Sequence, residues 1–100
     1  MKVLKLYNNE AQLIYKASKN HRDAQHALYK AHAPKMLSVC SYYIKDTQQA
    51  EEALLNGFFK VFKQIKSFKS QGSFEGWIRQ IMVHESISLL RKKKQLEFSA

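Results

Sequence analysis

The chain has 100 residues, one domain's worth, which leaves no room for two independent cores. With 45% hydrophobic and 25% charged residues it does not have the composition of a disordered chain, and no apolar run approaches a bilayer-crossing length. Formal charge is +9, and residues 60 to 94 carry nine Lys or Arg against two Glu, while the other 65 residues carry eight against six. A basic second half fits either a polyanionic partner or a solvated, solubilising face, and charge alone leaves both open. Cys40 is the only cysteine, which excludes an intrachain disulfide and fits a reducing cytoplasm. The start, Met1-Lys2 followed by short apolar pieces, holds no signal-peptide core, so a soluble intracellular protein is expected. Three Gly, one Pro and no strand-like alternation of four or more steps predict an all-α fold.

In chain order, residues 8 to 18 open with Asn residues suited to an N-cap and place Ala11, Leu13, Ile14 and Ala17 along one side of a short helix. Lys19, Asn20 and His21 form a polar break. Residues 22 to 32 predict a second helix with Ala24, Ala27, Leu28 and Ala31 on its stripe. Pro34 suits a helix's first turn, so residues 34 to 44 read as a new or kinked helix using Met36, Val39, Cys40, Tyr43 and Ile44 internally, with Leu37 at the edge. Asp46 and Thr47 are cap candidates for a helix over residues 47 to 66, whose stripe is Ala50, Leu54, Phe58, Val61, Phe62 and Ile65. Its opposite face carries Glu52, Asn56, Lys60 and Lys63, and Phe59 falls on that polar side. After a loop, Ser73 caps a last helix from residue 74 to about residue 94. There Ile78, Ile81, Met82, Val83, Ile87, Leu89 and Leu90 cover most of the circumference, which predicts burial on more than one side. The sum is a small bundle of about four to five helices.

Three surfaces are candidates for function. The first is the polar face of the helix over residues 47 to 66, lined by Glu51, Glu52, Leu55, Asn56, Phe59 and Lys60. An aromatic among charges has the character of a contact centre, although spacing alone favours Phe59 filling a gap beneath the first helix. The second is a stripe on the last helix, where Trp77, Gln80, His84 and Arg91 share a face, with Phe68 and Phe74 placed to extend it. Unstacked bases need planar groups to stack on, worth about 1–3 kcal/mol per base. Aromatics at a helix start are more often core, which is the plainer reading of Trp77 and Phe74. The third is cationic: Lys60, Lys63, Lys66 and Lys69 recur every three residues, with Arg79 and the Arg91, Lys92, Lys93, Lys94 cluster as flanks of the same groove. A basic helix end also offsets its own macrodipole, a structural reason for Lys92 to Lys94. In the loop, Gly72 tolerates positive φ, and Ser70, Gln71 and Ser73 offer short polar groups beside free N–H groups of a helix start. A Gly-Ser junction needs no ligand to account for it.

Enzymatic readings find little support. His21, His26, His32 and His84 have no metal-site partners at useful spacing, His84-Glu85 lacks a second histidine four residues after the first, and no Gly-rich phosphate loop occurs. Glu85 sits amid apolar neighbours, but no nucleophile or base converges with it. No metal, cofactor or catalytic residue is expected.

The segments DTQQAEEALLNGFFKVFKQIKSF, GSFEGWIRQIMV and SLLRKKK, within residues 46 to 94, resemble region 2 of the extracytoplasmic-function sigma factors. Upstream, HRDAQHALYKAHAPKMLSVCSYYIKD is similar to the family's first conserved helices, and GSFEGWIRQIMV is the most specific part. The resemblance implies a helical bundle that docks one helix on the clamp coiled coil of the largest subunit of core RNA polymerase. It implies that the next loop and helix capture the non-template strand of the promoter minus-ten element and start strand separation. On this reading Glu51, Glu52, Leu55, Asn56, Phe59 and Lys60 face polymerase. Lys63, Lys66, Phe68, Lys69, Ser70, Gln71, Ser73, Phe74, Trp77, Arg79, Gln80, His84, Arg91 and Lys92 face DNA, with residues 69 to 74 forming a pocket for one flipped base.

Family members usually carry Gln then Glu where this chain has Leu55 and Asn56, and commonly Asn where His84 stands. The Leu55 and Asn56 departure motivates a second expectation, a degenerate sigma-like module that binds an anti-sigma-type regulator instead of polymerase. A basic amphipathic domain resting on anionic membrane ranks lowest, because the apolar stripes look committed to a bundle core. Residues 1 to 95 are expected to form the domain and residues 96 to 100 to begin a linker toward a further helix-turn-helix domain.

Overall fold

The computed structural model describes the backbone of residues 2–69 and 72–99 and the side chains of residues 10–69 and 72–97. Its first helix, α1, spans Lys2–Ser18, so Asn8 and Asn9 lie inside it rather than capping it. Leu13 and Ile14 are half-buried and Ala17 is buried, whereas Ala11 is exposed and off the expected stripe. The helix closes where Asn20 takes φ +66°, with Asn20 N–H donating to Ala17 O and His21 N–H to Lys16 O. This paired closure is a Schellman motif, in which asparagine is the usual substitute for glycine at the left-handed position.

The chain turns into α2, Arg22–Tyr43, where the His21 ring nitrogen Nδ1 accepts from Ala24 N–H and Gln25 donates back to Ala17 O. No new helix begins at Pro34; α2 runs through it as one helix. Proline lacks the N–H that would reach Lys30 O, and its ring crowds that carbonyl, at about 3 kcal/mol in a helix interior. Pro34 and Lys30 are both exposed, so water can serve the freed carbonyl. Helicity persists because Ala24, Leu28, His32, Met36 and Cys40 recur every four residues on one buried stripe across the proline. Ala31, expected on the stripe, is exposed, and Ala27 is half-buried. Buried Ile44 ends α2 by donating its N–H to Cys40 O.

Helix α3 spans Thr47–Gln64, with Asp46 as N-cap accepting from Gln49 N–H at 2.9 Å. The predicted stripe is inside, except that Phe62 is half-buried; Ala53 and Gly57 join it. At Gly57 α3 approaches the last helix closely, since a Cβ there would overlap the Met82 thioether. A 3-10 turn, Ile65–Ser67, follows. Gly72 then adopts φ +83°, and Ser73 starts α4, Phe74–Ser99, by accepting from Gly76 N–H on Oγ and from Trp77 N–H on its carbonyl.

α4 packs against both α3 and α2, and α1 lies on α2 and touches the 3-10 turn. The core of α4 is Phe74, Ile78, Met82, Ser86 and Leu89. Ile87 and Leu90, expected inside, are 36% and 39% exposed, because only two neighbours cover the helix. Residues 95 to 99 continue α4, five positions past the expected end, so residues 96–99 are helical where a linker was expected. With no Gly or Pro after Gly76, nothing in the local sequence stops the helix. Four α-helices, one 3-10 turn and no strand among the described residues make an all-α bundle of 55 × 24 × 23 Å.

Candidate functional site

Two surfaces emerge, one on α3 and one where the α3–α4 connection meets α4. On α3, Leu55 and Phe59 stand one turn apart and are 59% and 70% exposed. Glu52 and Asn56 share their outward face, and all four side chains are exposed. Beside them Glu51, Leu54 and Leu55 form one wall of an apolar groove whose other wall is Tyr29, Ala33, Pro34 and Leu37 of α2. Phe59 therefore does not fill a gap beneath α1; it faces solvent.

The second surface is built on an aromatic cluster. Phe74 is buried, with Phe68 at 5.3 Å and Trp77 at 5.8 Å between ring centroids. Phe68 and Trp77 lie 5.4 Å apart at the edge of the core, both half-buried. Phe74 is core, packed also against His32 at 5.6 Å. Ser73 spends its oxygens on capping α4. Ser70 and Gln71 lie outside the described residues.

Along α4, Gln80, His84 and Arg91 are exposed on one face with Trp77 at its near edge. Gln80 and His84 line a groove between α4 and α3, together with Ile81, Glu85, Lys60 and Gln64. Lys63, Lys66, Lys69 and Lys92 are exposed. Helical register puts Lys63 on the outward face of α3 next to Phe59, and turns Lys92 about 100° from Arg91. Arg79 is not brought to this groove. It sits on the α2 side of α4, among Val39, Tyr42, Tyr43 and Val83.

Lys60, expected to face polymerase, is paired with Glu85 within the α3–α4 groove. Its ammonium lies 2.6 Å from Glu85 Oε2, an ion pair whose angle does not make an aligned hydrogen bond. Two further cross-helix ties escaped sequence reasoning. Glu10 of α1 meets the buried His32 of α2 at 3.1 Å, and Lys35 of α2 meets Glu75 of α4 at 3.3 Å. These pairs are separated in the chain by many residues, so no local pattern announces them. Gln64 was missed as well; a groove position is legible only once α4 is beside it.

Ser86 Oγ is buried with no nitrogen or oxygen partner and lies against the Cys40 thiol. Burial pushes that thiol's pKa up; the Ser86 contact opposes the rise and the nearby Glu85 charge adds to it. Among the described residues no three His, Cys, Asp or Glu side chains gather as a metal site, and no helix is long and apolar enough to cross a membrane.

Comparison with known proteins returns a single informative result. A family model described as Sigma-70 region 2 matches residues 28–95. No curated protein and no solved structure gives a match. The matched span runs from the first turns of α2 to the far end of α4 and so contains both surfaces. The chain thus belongs to the sigma-70 family as a region 2 domain, the family being one of transcription initiation factors.

Proposed function

We propose that this domain is the promoter-opening module of an extracytoplasmic-function-type sigma factor acting in the cytoplasm. Its outward α3 face, Glu51, Glu52, Leu55, Asn56 and Phe59, docks on the clamp helices of core RNA polymerase. Phe68 and Trp77 stack bases of the non-template strand of the minus-ten element, while Gln80 and His84 meet base edges or sugar. Lys63, Lys66, Lys69, Arg91 and Lys92 neutralise phosphates, and Arg79 takes a phosphate only where the strand bends round to the α2 side. Residues 69 to 74 receive the flipped base. The role is binding, and strand separation draws on stacking energy of about 1–3 kcal/mol per captured base.

The observation that carries this reading is the partly buried Phe68–Trp77 pair continuing into exposed Gln80 and His84 on a chain with charge +9. Its test is to mix the domain with core polymerase and with a single-stranded minus-ten oligonucleotide. Failure to associate with either at low salt overturns it. The exposed Leu55 and Phe59 beside an apolar groove favour a second reading, a partner of anti-sigma type in place of polymerase. Co-purification from cells separates the two: polymerase subunits support the first, a small regulator without polymerase the second.

A further inference from the structure

We infer that Glu85 acts as a charge latch that withholds Lys60 from nucleic-acid phosphates and sets the affinity of the α3–α4 groove. The inference rests on the nucleic-acid reading above and adds a regulatory pair to it. Lys60 is the first of four lysines spaced three apart, a cationic run suited to phosphate contact, although the family resemblance turns Lys60 itself toward polymerase. Geometry divides them. The Glu85 side chain is only 12% exposed, whereas Lys60 is 49% exposed and leans in from α3 to reach it. A carboxylate so covered has lost most of its hydration and needs a cation beside it, and losing that cation is costly. Among the described residues Lys60 is the only lysine or arginine lining this groove; Gln64, Gln80, Ile81 and His84 bring no fixed positive charge.

The pair has two consequences for a polyanion. Lys60's charge is already neutralised, so it releases no counterion when a strand binds. The carboxylate also lines the same groove as Gln80 and His84 and opposes a phosphate there. Removing the carboxylate while keeping its shape reverses both effects. Glu85→Gln frees Lys60 to swing to solvent and removes the opposing anion.

The experiment measures binding of fluorescein-labelled oligothymidylate by anisotropy across a salt series, for the wild-type domain, Glu85→Gln, Lys60→Gln and the double variant. Oligothymidylate isolates phosphate contacts from promoter sequence. One added single-strand phosphate contact steepens the log–log salt slope by about 0.7, so affinity falls by a further factor of roughly 2.6 between about 50 and 200 mM salt. Glu85→Gln is expected to bind more tightly at the low end and to show that steeper slope. The double variant is expected to return to the wild-type slope, and Lys60→Gln alone to leave it unchanged. Lys60→Gln strands the covered carboxylate and is the variant at risk of misfolding. Circular dichroism checks each protein, and Glu85→Gln against the double variant gives the same comparison without it.

The latch is overturned if Lys60→Gln alone flattens the slope by about 0.7, which would make Lys60 a phosphate contact already. Equal affinity and slope for wild type and Glu85→Gln also overturn it, while wild-type binding leaves the nucleic-acid reading standing. Absence of binding by every variant overturns the latch and the phosphate contacts of that reading, and polymerase docking keeps its own test.

Discussion

Asn20 shows how much one dihedral angle can ask of a side chain. At φ +66° it closes α1 and aims His21 to cap α2, so two helices depend on it. A β-branched residue resists this conformation, and Asn20→Val is expected to lower stability by about 1–2 kcal/mol, while Asn20→Gly raises it slightly. Urea unfolding of the two variants measures both signs. Cys40 makes a pH prediction. Its thiol's pKa lies above the ordinary value of 9.0 because it is buried, so the unfolded chain ionises first as pH rises. Cys40 therefore costs nothing at neutral pH and loses stability for the fold above the ordinary thiol value. Urea midpoints should fall more between neutral pH and alkaline pH for wild type than for Cys40→Ala, and an alkylating probe should label Cys40 only in the unfolded chain. At Phe59, 70% exposed, truncation to Ala should change stability by no more than about 0.5 kcal/mol yet weaken polymerase binding roughly tenfold. A pull-down with core polymerase beside a thermal melt tests the pair of outcomes.

Among elements, α2 and the α3–α4 contact are the instructive cases. The stripe Ala24, Leu28, His32, Met36, Cys40 was in the sequence throughout, in register across Pro34, and it outweighed the proline's local penalty. The stripe expected over residues 22 to 32 left His32 out. A histidine buried against Phe74 and held by Glu10 of α1 serves as a core residue, which only the neighbouring helices make possible. Pro34→Ala should therefore stabilise α2 by roughly 1–3 kcal/mol, since it restores a donor at a position already helical. Gly57 runs the other way. Alanine is the better helix former by about 1 kcal/mol, but its methyl would overlap Met82 in a fully buried site. Gly57→Ala is expected to lower stability by about 1–3 kcal/mol through overpacking, and Met82→Val in the same chain to recover part of it. A four-member denaturation set decides whether the two sites are coupled.

At the scale of the molecule, helices of this length make an elongated bundle, and both candidate surfaces lie on α3 and α4. The basic excess of the second half is spread along both, not gathered at one point. Replacing Arg91 and Lys92 together with Gln should flatten the salt slope of oligonucleotide binding by about 1.4 if each meets a phosphate, and leave it unchanged if they only relieve the helix dipole. An anisotropy titration over a salt series measures the difference.

Composition and periodicity by themselves determined the all-α class, the stripe from Ala50 to Ile65, and the Asp46 and Ser73 caps. They could do so because helix caps and amphipathic stripes are local, acting within four residues of chain. Tertiary structure decided the passage of α2 through Pro34, the exposure of Ile87 and Leu90, the separation of Arg79 from Gln80 and His84, and the pairing of Lys60 with Glu85. Each of these depends on which neighbour lies against a helix and how much of it that neighbour covers. Burial and Coulomb attraction act across space between residues far apart in the chain, and no window of sequence contains both partners.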